Sequence, residues 1–163
     1  MALEMAGRKA LSLRDAGVFN EHPDALLLAA DTVCVGADGS LIGQPADEAD
    51  ARRMVESFLG VEHEVVTGVA LLAANWPRVE RLSDVARVVV GQGDPESLRK
   101  YLASGEWRGK AGGYNLEERL AAGWPIRVEG DVTTVMGLPM LMLHQLLQSP
   151  KLRDMLAGSA KAD

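Results

Sequence analysis

The chain has a single cysteine, Cys34, in 163 residues. A disulfide within the chain is excluded, and with it a zinc site built from several thiolates. Cys34 falls inside the apolar run 25–35, where a thiol is expected to be buried and inert. No apolar stretch approaches the roughly 18 residues that a membrane-spanning helix needs. Residues 1–10 carry Glu4, Arg8 and Lys9 in place of the apolar core of a signal peptide. Together these features point to a reducing cytoplasm. Positive charge is also in short supply: 17 Lys and Arg against 23 Asp and Glu give a net charge of −6. The overall field therefore does not attract a nucleic-acid polymer, although a few converging cations can still hold a nucleotide. Aromatics are sparse, and the isolated Trp76, Trp107 and Trp124 form no stacking stripe for single strands. The three histidines, His22, His63 and His144, have no metal-ligand spacing. His22 and His63 read as surface or turn residues, and His144 as part of the last helix.

Hydrophobic residues nevertheless make up 47% of the chain, enough for a real core in one domain. Leu3, Ala6, Ala10 and Leu13 recur at helical spacing before Gly17, so the chain opens inside a helix. Residues 25–35 read as a buried strand, which Asp38-Gly39 turns back through Ser40-Leu41-Ile42. Asp47 caps a helix that presents Ala51, Met54, Val55, Phe58 and Leu59 on one face and closes at Gly60. Strands are expected at 61–73 and 79–90, with Val85, Arg87 and Val89 marking a period of two. Asp94-Pro95-Glu96 starts a further helix that stops at Gly105. The glycine-rich segment 105–123 reads as a long functional loop. Short strands are expected at 124–128 and 133–136, and a helix from Pro139. Alternating strands and helices give an α/β class, and the early hairpin points to a mixed, twisted sheet flanked by helices. The domain is expected to cover 1–148, followed by a weakly patterned tail at 149–163.

Chemistry concentrates in three places. Asp31 interrupts an apolar strand, where an unpaired carboxylate is costly. It calls for a cation, a metal or an open cleft, or else for nearby backbone N–H groups. Lys110 lies among glycines in Gly109-Lys110-Ala111-Gly112-Gly113-Tyr114, where a lysine can meet a phosphate, although a flexible turn with a solvated lysine has the same pattern. Glu129-Gly130-Asp131 precedes Val135-Met136-Gly137-Leu138-Pro139, which reads first as a turn and helix start. A carboxylate there can also serve a hard divalent ion.

In order, these pieces resemble the Maf family of nucleoside triphosphate pyrophosphatases. Met5-Ala6-Gly7-Arg8-Lys9-Ala10 is similar to the family's Lys-Ala helix, Ala30-Asp31-Thr32-Val33 to its Asp-Thr-Val motif, and Gly43-Gln44-Pro45 with Asp47 to its Gly-Lys-Pro segment. His63-Glu64-Val65-Val66-Thr67-Gly68-Val69 is similar to His-x-Val-x-Thr-Gly-Val. Ser104-Gly105-Glu106 and Lys110-Ala111-Gly112-Gly113-Tyr114 follow in register, as do Gly130-Asp131 and Val135-Met136-Gly137-Leu138-Pro139. The match runs from about Met5 to about Leu147.

The resemblance implies a fold with a central cleft and hydrolysis of a nucleoside triphosphate to monophosphate and pyrophosphate. It implies Asp31 as the general base and Lys9 and Lys110 as phosphate contacts. Thr32 would lie beside the base pocket. A divalent cation, magnesium or manganese, is expected, with Asp31, Glu106 and Asp131 as candidate ligands. Asp31 and Lys110 are expected to share one cleft.

Three departures from the family are visible. Its first strand and Ser-x-Ser-Pro-Arg-Arg loop have no counterpart, so the first βα unit is expected to be missing, leaving an open strand edge and a tendency to self-associate as a homodimer. The lysine of Gly-Lys-Pro is Gln44. The base-reading glutamine is Glu117, an acceptor only, which favours guanine or 7-methylguanine over thymine or uracil, and so modified or non-standard nucleotides. Two alternatives stand beside the enzyme: an impaired Maf-like module that binds nucleotides or protein without turnover, and an unrelated α/β binding module in which Asp31 and Lys110 lie far apart.

Overall fold

The structure, a computed structural model, describes residues 1–159. Helix α1 (Ala2–Asp15) and the single turn α2 (Val18–Glu21) lead to β1 (Leu27–Val35) and the short return strand β2 (Leu41–Ile42). Next come α3 (Glu48–Phe58), β3 (Glu62–Leu72), β4 (Glu80–Val90) and α4 (Pro95–Ser104). A 3₁₀ turn at Ala111–Gly113 is followed by α5 (Leu116–Ala121), β5 (Ile126–Glu129), α6 (Val132–Val135), α7 (Met140–Gln148) and α8 (Pro150–Ser159). The five strands form one sheet in the order β2-β1-β3-β4-β5. The α/β class and the flanking helices are as expected. All four strand pairs are antiparallel, and the parallel component expected of the sheet is reduced to an isolated bridge between Leu59 and Val90. Among the described residues no helix is long and apolar enough to cross a membrane.

Helix α1 covers one face of the sheet. It approaches closely because the contact is made of small residues: Ala6 and Ala10 pack on Ala29 and Ala70. Where α1 begins, no side chain at all fits between helix and sheet. A Cβ on Gly68 would lie 2.4 Å from both Cα and N of Leu3. The other face holds the larger core. Cys34, Val65, Val88 and Val90 meet Val55 and Phe58 of α3, Tyr101 and Leu102 of α4, and Trp107. Farther along the same sheet, Val69 and Leu71 pack with Trp76, Leu143 and Leu152. On β4 the row Ala86, Val88, Val90 is buried, while Val85 and Arg87 of the alternating row point outward.

Strand β1 pairs with β3 over its whole length but with β2 only at Cys34 and Val35. Its outer edge over 27–33 has no strand partner among the described residues. One carbonyl of that edge, Ala30 O, is covered by Lys9.

Three segments differ from expectation. The span 105–123 is half helical, because Asn115 caps α5 by accepting from Glu118 N at 3.0 Å. The β-branched run 133–136 lies mostly in α6 rather than in a strand. The Asp131 carboxylate captures Thr133 N at 2.9 Å and starts the turn, a local cap that outweighs β propensity. The expected loose tail is helical over Pro150–Ser159, and Leu152 docks into the core with only 1% of its surface exposed; its last part, 160–163, lies outside the described residues. Because Gly68 sets the seat of α1, Gly68→Ala is expected to destabilise the fold by about 1–3 kcal/mol. Urea unfolding checks this, with Gly43→Ala, where a Cβ would meet nothing within 4 Å, as the control for a merely exposed glycine.

Candidate functional site

Consecutive side chains on a strand point to opposite faces. In β1 this divides Asp31 from Thr32. Asp31 stands opposite Gly68, under the start of α1. Lys9 lies two turns farther along that helix, and helical side chains lean toward the helix N-terminus. Its ammonium therefore reaches Asp31 Oδ1 at 2.7 Å, with a second bond to Ala30 O at 3.1 Å. The Asp31 side chain keeps 19% of its surface exposed and that of Lys9 50%, so the pair opens to solvent. An ion pair this accessible contributes at most about 1 kcal/mol to folding. Asp31 thus has its cation partner, and only Oδ1 is engaged by it.

Thr32 faces the other way, into a cleft of about 220 Å³ that also contains Lys110, Tyr114, Asn115 and Gly137. That volume is below the roughly 300 Å³ at which whole small-molecule pockets begin, so it suits part of a nucleotide. Its far wall is held to the sheet by Gly112, whose N–H donates to Gly43 O. The backbone there has φ +70°, and a Cβ would lie 2.9 Å from Cys34 Sγ. Cys34 borders the same cleft but is only 3% exposed, and burial pushes its thiol up to about 12, which agrees with the expected buried cysteine.

The structure corrects several assignments. Asp31 and Lys110 do not share a cleft: Asp31 is with Lys9 on the α1 face, and Lys110 is with Thr32 on the opposite face. Lys110 is also paired with Glu118. Glu117, expected to read the base, is exposed on the first turn of α5 and does not line the cleft. The three candidate metal ligands do not converge. Glu106 pairs with Arg119. Asp131 holds α6 and α7 through Thr133 N, Thr133 Oγ1 and Leu141 N. Burial pushes its carboxyl up, but those bonds outweigh it and leave Asp131 below the ordinary carboxylate range. No group of three His, Cys, Asp or Glu side chains suited to a metal ion occurs among the described residues. Among the described residues the three candidate ligands are thus each held by a different partner. A larger cavity, about 280 Å³ beside Leu98 and Trp124, contains none of these residues, and its carboxylate, Asp94, caps α4.

Sequence reading missed the residues that hold the cleft together. His63 is not on the surface; it is 1% exposed, stacked on Phe58 at 3.9 Å and hydrogen-bonded through Nε2 to Tyr114 Oη at 2.8 Å. This bond ties β3 to the segment carrying Lys110. Thr67 Oγ1 meets Thr32 Oγ1 at 2.8 Å and donates to Thr134 O at 2.7 Å, while Thr134 Oγ1 donates to Asp84. Arg119, buried over the Tyr101 ring, joins Glu106 and Glu118. The available signal was the pairing of motifs: His63 and Thr67 lie two periods apart on one strand, hence on one face.

Burial, opposed by the Val61 backbone, pulls the His63 imidazole down to about 4. Below the ordinary histidine value of 6.5 the unfolded chain takes up a proton that the folded chain refuses until about pH 4. Stability is therefore expected to fall as pH drops through this window, by roughly 3 kcal/mol in all. Urea midpoints measured from pH 7 to pH 4 check this, and His63→Gln should lose less stability than the wild type over the same range.

Comparison with known proteins bears on this arrangement. The family model described as Maf-like protein matches residues 1–150. The dTTP/UTP pyrophosphatase of Salinibacter ruber is 37% identical over 143 residues, covering 88% of this chain and 69% of that protein. The dTTP/UTP pyrophosphatase of Shouchella clausii is 41% identical over 145 residues, 89% of this chain and 71% of its own length. That of Pelotomaculum thermopropionicum is 38% identical over 144 residues, 88% and 72% respectively. With Asp31, Thr32, His63, Thr67, Lys110 and Tyr114 gathered on and around β1 and β3, and with the family model covering nearly the whole chain, the chain belongs to the Maf-like protein family.

Proposed function

We propose that the chain hydrolyses nucleoside triphosphates of the dTTP/UTP class to the monophosphate and pyrophosphate, with Asp31 as general base. The observation that carries this reading is the solvent-open pair of Asp31 and Lys9, a carboxylate with one oxygen engaged beside a cation that can transfer to a phosphate. Asp31 takes a proton from water as the water oxygen bonds to the α-phosphorus. The bond from that phosphorus to the bridging oxygen breaks, and pyrophosphate leaves with the electron pair. Lys9, drawn from Asp31 by the incoming phosphates, offsets the charge that develops on them. The choice of thymine and uracil rests on the substrates named for the three relatives. The contrary preference inferred from Glu117 loses its footing because that side chain lies outside the cleft.

In this reading Lys110 is not assigned to the phosphorus beside Asp31, since it lines the cleft with Thr32, whose side chain leaves β1 on the face opposite that of Asp31. Its place is with the part of the nucleotide that enters the Thr32 cleft. The nucleotide would then engage both faces of β1. Magnesium or manganese fits this reading as a companion held largely by the triphosphate, with Asp31 as a carboxylate that can meet it. The single buried thiol supports a cytoplasmic location.

Pyrophosphate release from UTP and dTTP by the purified protein tests the proposal. Asp31→Asn is expected to lower kcat by about a hundred- to ten-thousand-fold. Lys9→Met should raise KM and lower kcat, with partial rescue by Lys9→Arg. Equal activity in wild type and Asp31→Asn removes Asp31 from this role. Nucleotide binding without pyrophosphate release favours the impaired-module reading instead.

A further inference from the structure

Lys110 lines the cleft, but its ammonium donates to Glu118 Oε2, and Glu118 stands on α5 outside that lining. The Lys110 side chain is 21% exposed and that of Glu118 46%, so the pair lies between cleft and solvent. The same carboxylate oxygen has a second cation beside it, since Arg119 Nη2 stands 3.9 Å from Glu118 Oε2. Arg119 is held in place. It is 7% exposed, with its guanidinium carbon 4.0 Å from the centre of the Tyr101 ring and 5.5 Å from that of Trp124. Tyr101 in turn donates its hydroxyl to Gly113 O at 2.7 Å, so Arg119 and the turn that carries Lys110 share one support.

The two cations differ in what they can do. Lys110 is a point charge on a flexible stem and can turn to another partner. Arg119 is buried and stationary. It meets Glu106 through the same Nη2, while its Nε is buried without a partner among the described residues, so its donors are not all used. A buried guanidinium in that state gains from a carboxylate that comes closer. The second lysine of the site has no such arrangement. Among the described residues Lys9 is the one cation paired with Asp31, so drawing Lys9 away leaves a carboxylate fit to take a proton. Drawing Lys110 away leaves Glu118 beside Arg119.

We infer that Glu118 is the counter-ion that holds the Lys110 ammonium off the cleft until a nucleotide takes it, and that Arg119 is the positioning residue that receives the Glu118 carboxylate when Lys110 leaves. The inference rests on the proposed binding of a nucleoside triphosphate with Lys110 as one of its contacts, and specifies how that contact is held in reserve. An electron-rich oxygen of the nucleotide competes with Glu118 for the ammonium. Glu118 therefore weakens binding, and a lone carboxylate released beside an anionic ligand would weaken it further. Arg119 offsets that second charge without entering the cleft. Glu106 acts in the opposite sense, because it occupies Arg119 and so leaves Glu118 more dependent on Lys110.

The test is equilibrium binding of the non-hydrolysable α,β-imido analogue of UTP by calorimetry, which needs no turnover. Glu118→Gln is expected to bind about three- to fivefold more tightly than wild type, the scale of one partly exposed ion pair. The substitution leaves the start of α5 intact, because Asn115 caps it through the Glu118 backbone N–H. Lys110→Met should bind more weakly, and adding Glu118→Gln to it should bring no gain. Simple removal of a negative charge near an anion would instead tighten binding in both backgrounds. Glu106→Gln, remote from the cleft, should tighten binding about twofold, again only while Lys110 is present. Should Glu118→Gln fold poorly, Glu106→Gln alone gives the reading. The inference is overturned if Glu118→Gln binds as wild type does or more weakly, or if its gain persists with Lys110→Met. An unchanged or weakened affinity in Glu106→Gln overturns the role given to Arg119. No binding by wild type overturns this inference and the proposed function together. Pyrophosphate release that Asp31→Asn abolishes, with no gain in Glu118→Gln, overturns this inference alone. The expected gain without any pyrophosphate release counts against the proposed hydrolysis alone.

Discussion

The register of β1 against β3 sets Asp31 opposite Gly68 and Thr32 opposite Thr67, and most of the site follows from those two neighbouring rungs. On the first rung the sheet presents no side chain beside the carboxylate, so α1 can begin directly on the backbone and bring Lys9 within reach of Asp31. On the second rung two threonines meet face to face and commit their protons toward Thr134. A slip of one residue would send the carboxylate into the apolar core beneath α3 and expose the threonine under α1. The core that surrounds these rungs therefore does more than stabilise the sheet: it makes the division of labour between the two faces obligatory.

Charged groups elsewhere in the molecule are mostly committed to the fold. Asp47, Asp94 and Asp131 hold helix starts, and Glu106 and Glu118 are paired with Arg119 and Lys110. Asp131 holds two helices with one carboxylate, which places Thr134 so that its carbonyl can take the Thr67 proton. His63 and Tyr114 perform the matching task on the other wall, where a buried neutral imidazole joins β3 to the glycine turn behind Lys110. Against this background Asp31 and Thr32 stand out as groups whose remaining hydrogen-bonding capacity is directed to open space.

Much of this was legible in the sequence. The caps at Asp47 and Asp94 were readable because a cap is a local interaction spanning three residues. The order of motifs gave the family. The signal that divides Asp31 from Thr32 was also present, since adjacent residues in a strand cannot share a face, but the resemblance drew both lysines toward one cleft. The segment 133–136 looked like a strand because β-branched residues were weighed without the cap that precedes them. Asn115 with Glu118 carried a helix-start signal that the surrounding glycines hid. Leu152 and Met155 already had helical spacing in what read as a tail. The burial of His63 had no local signal, because its partners Phe58 and Tyr114 come from a neighbouring helix and from a segment 51 residues away.

The central claim is that one nucleotide engages both faces of β1, its phosphates beside Lys9 and Asp31 and its base in the cleft beside Thr32 and Gly137. Backbone amide NMR of the labelled chain titrated with a non-hydrolysable uridine triphosphate analogue tests it most directly. The account predicts saturable shifts, with one common dissociation constant, at Lys9 and Asp31 and also at Thr32, Lys110 and Gly137. Shifts confined to one of these two groups, or two groups saturating with different constants, would contradict it.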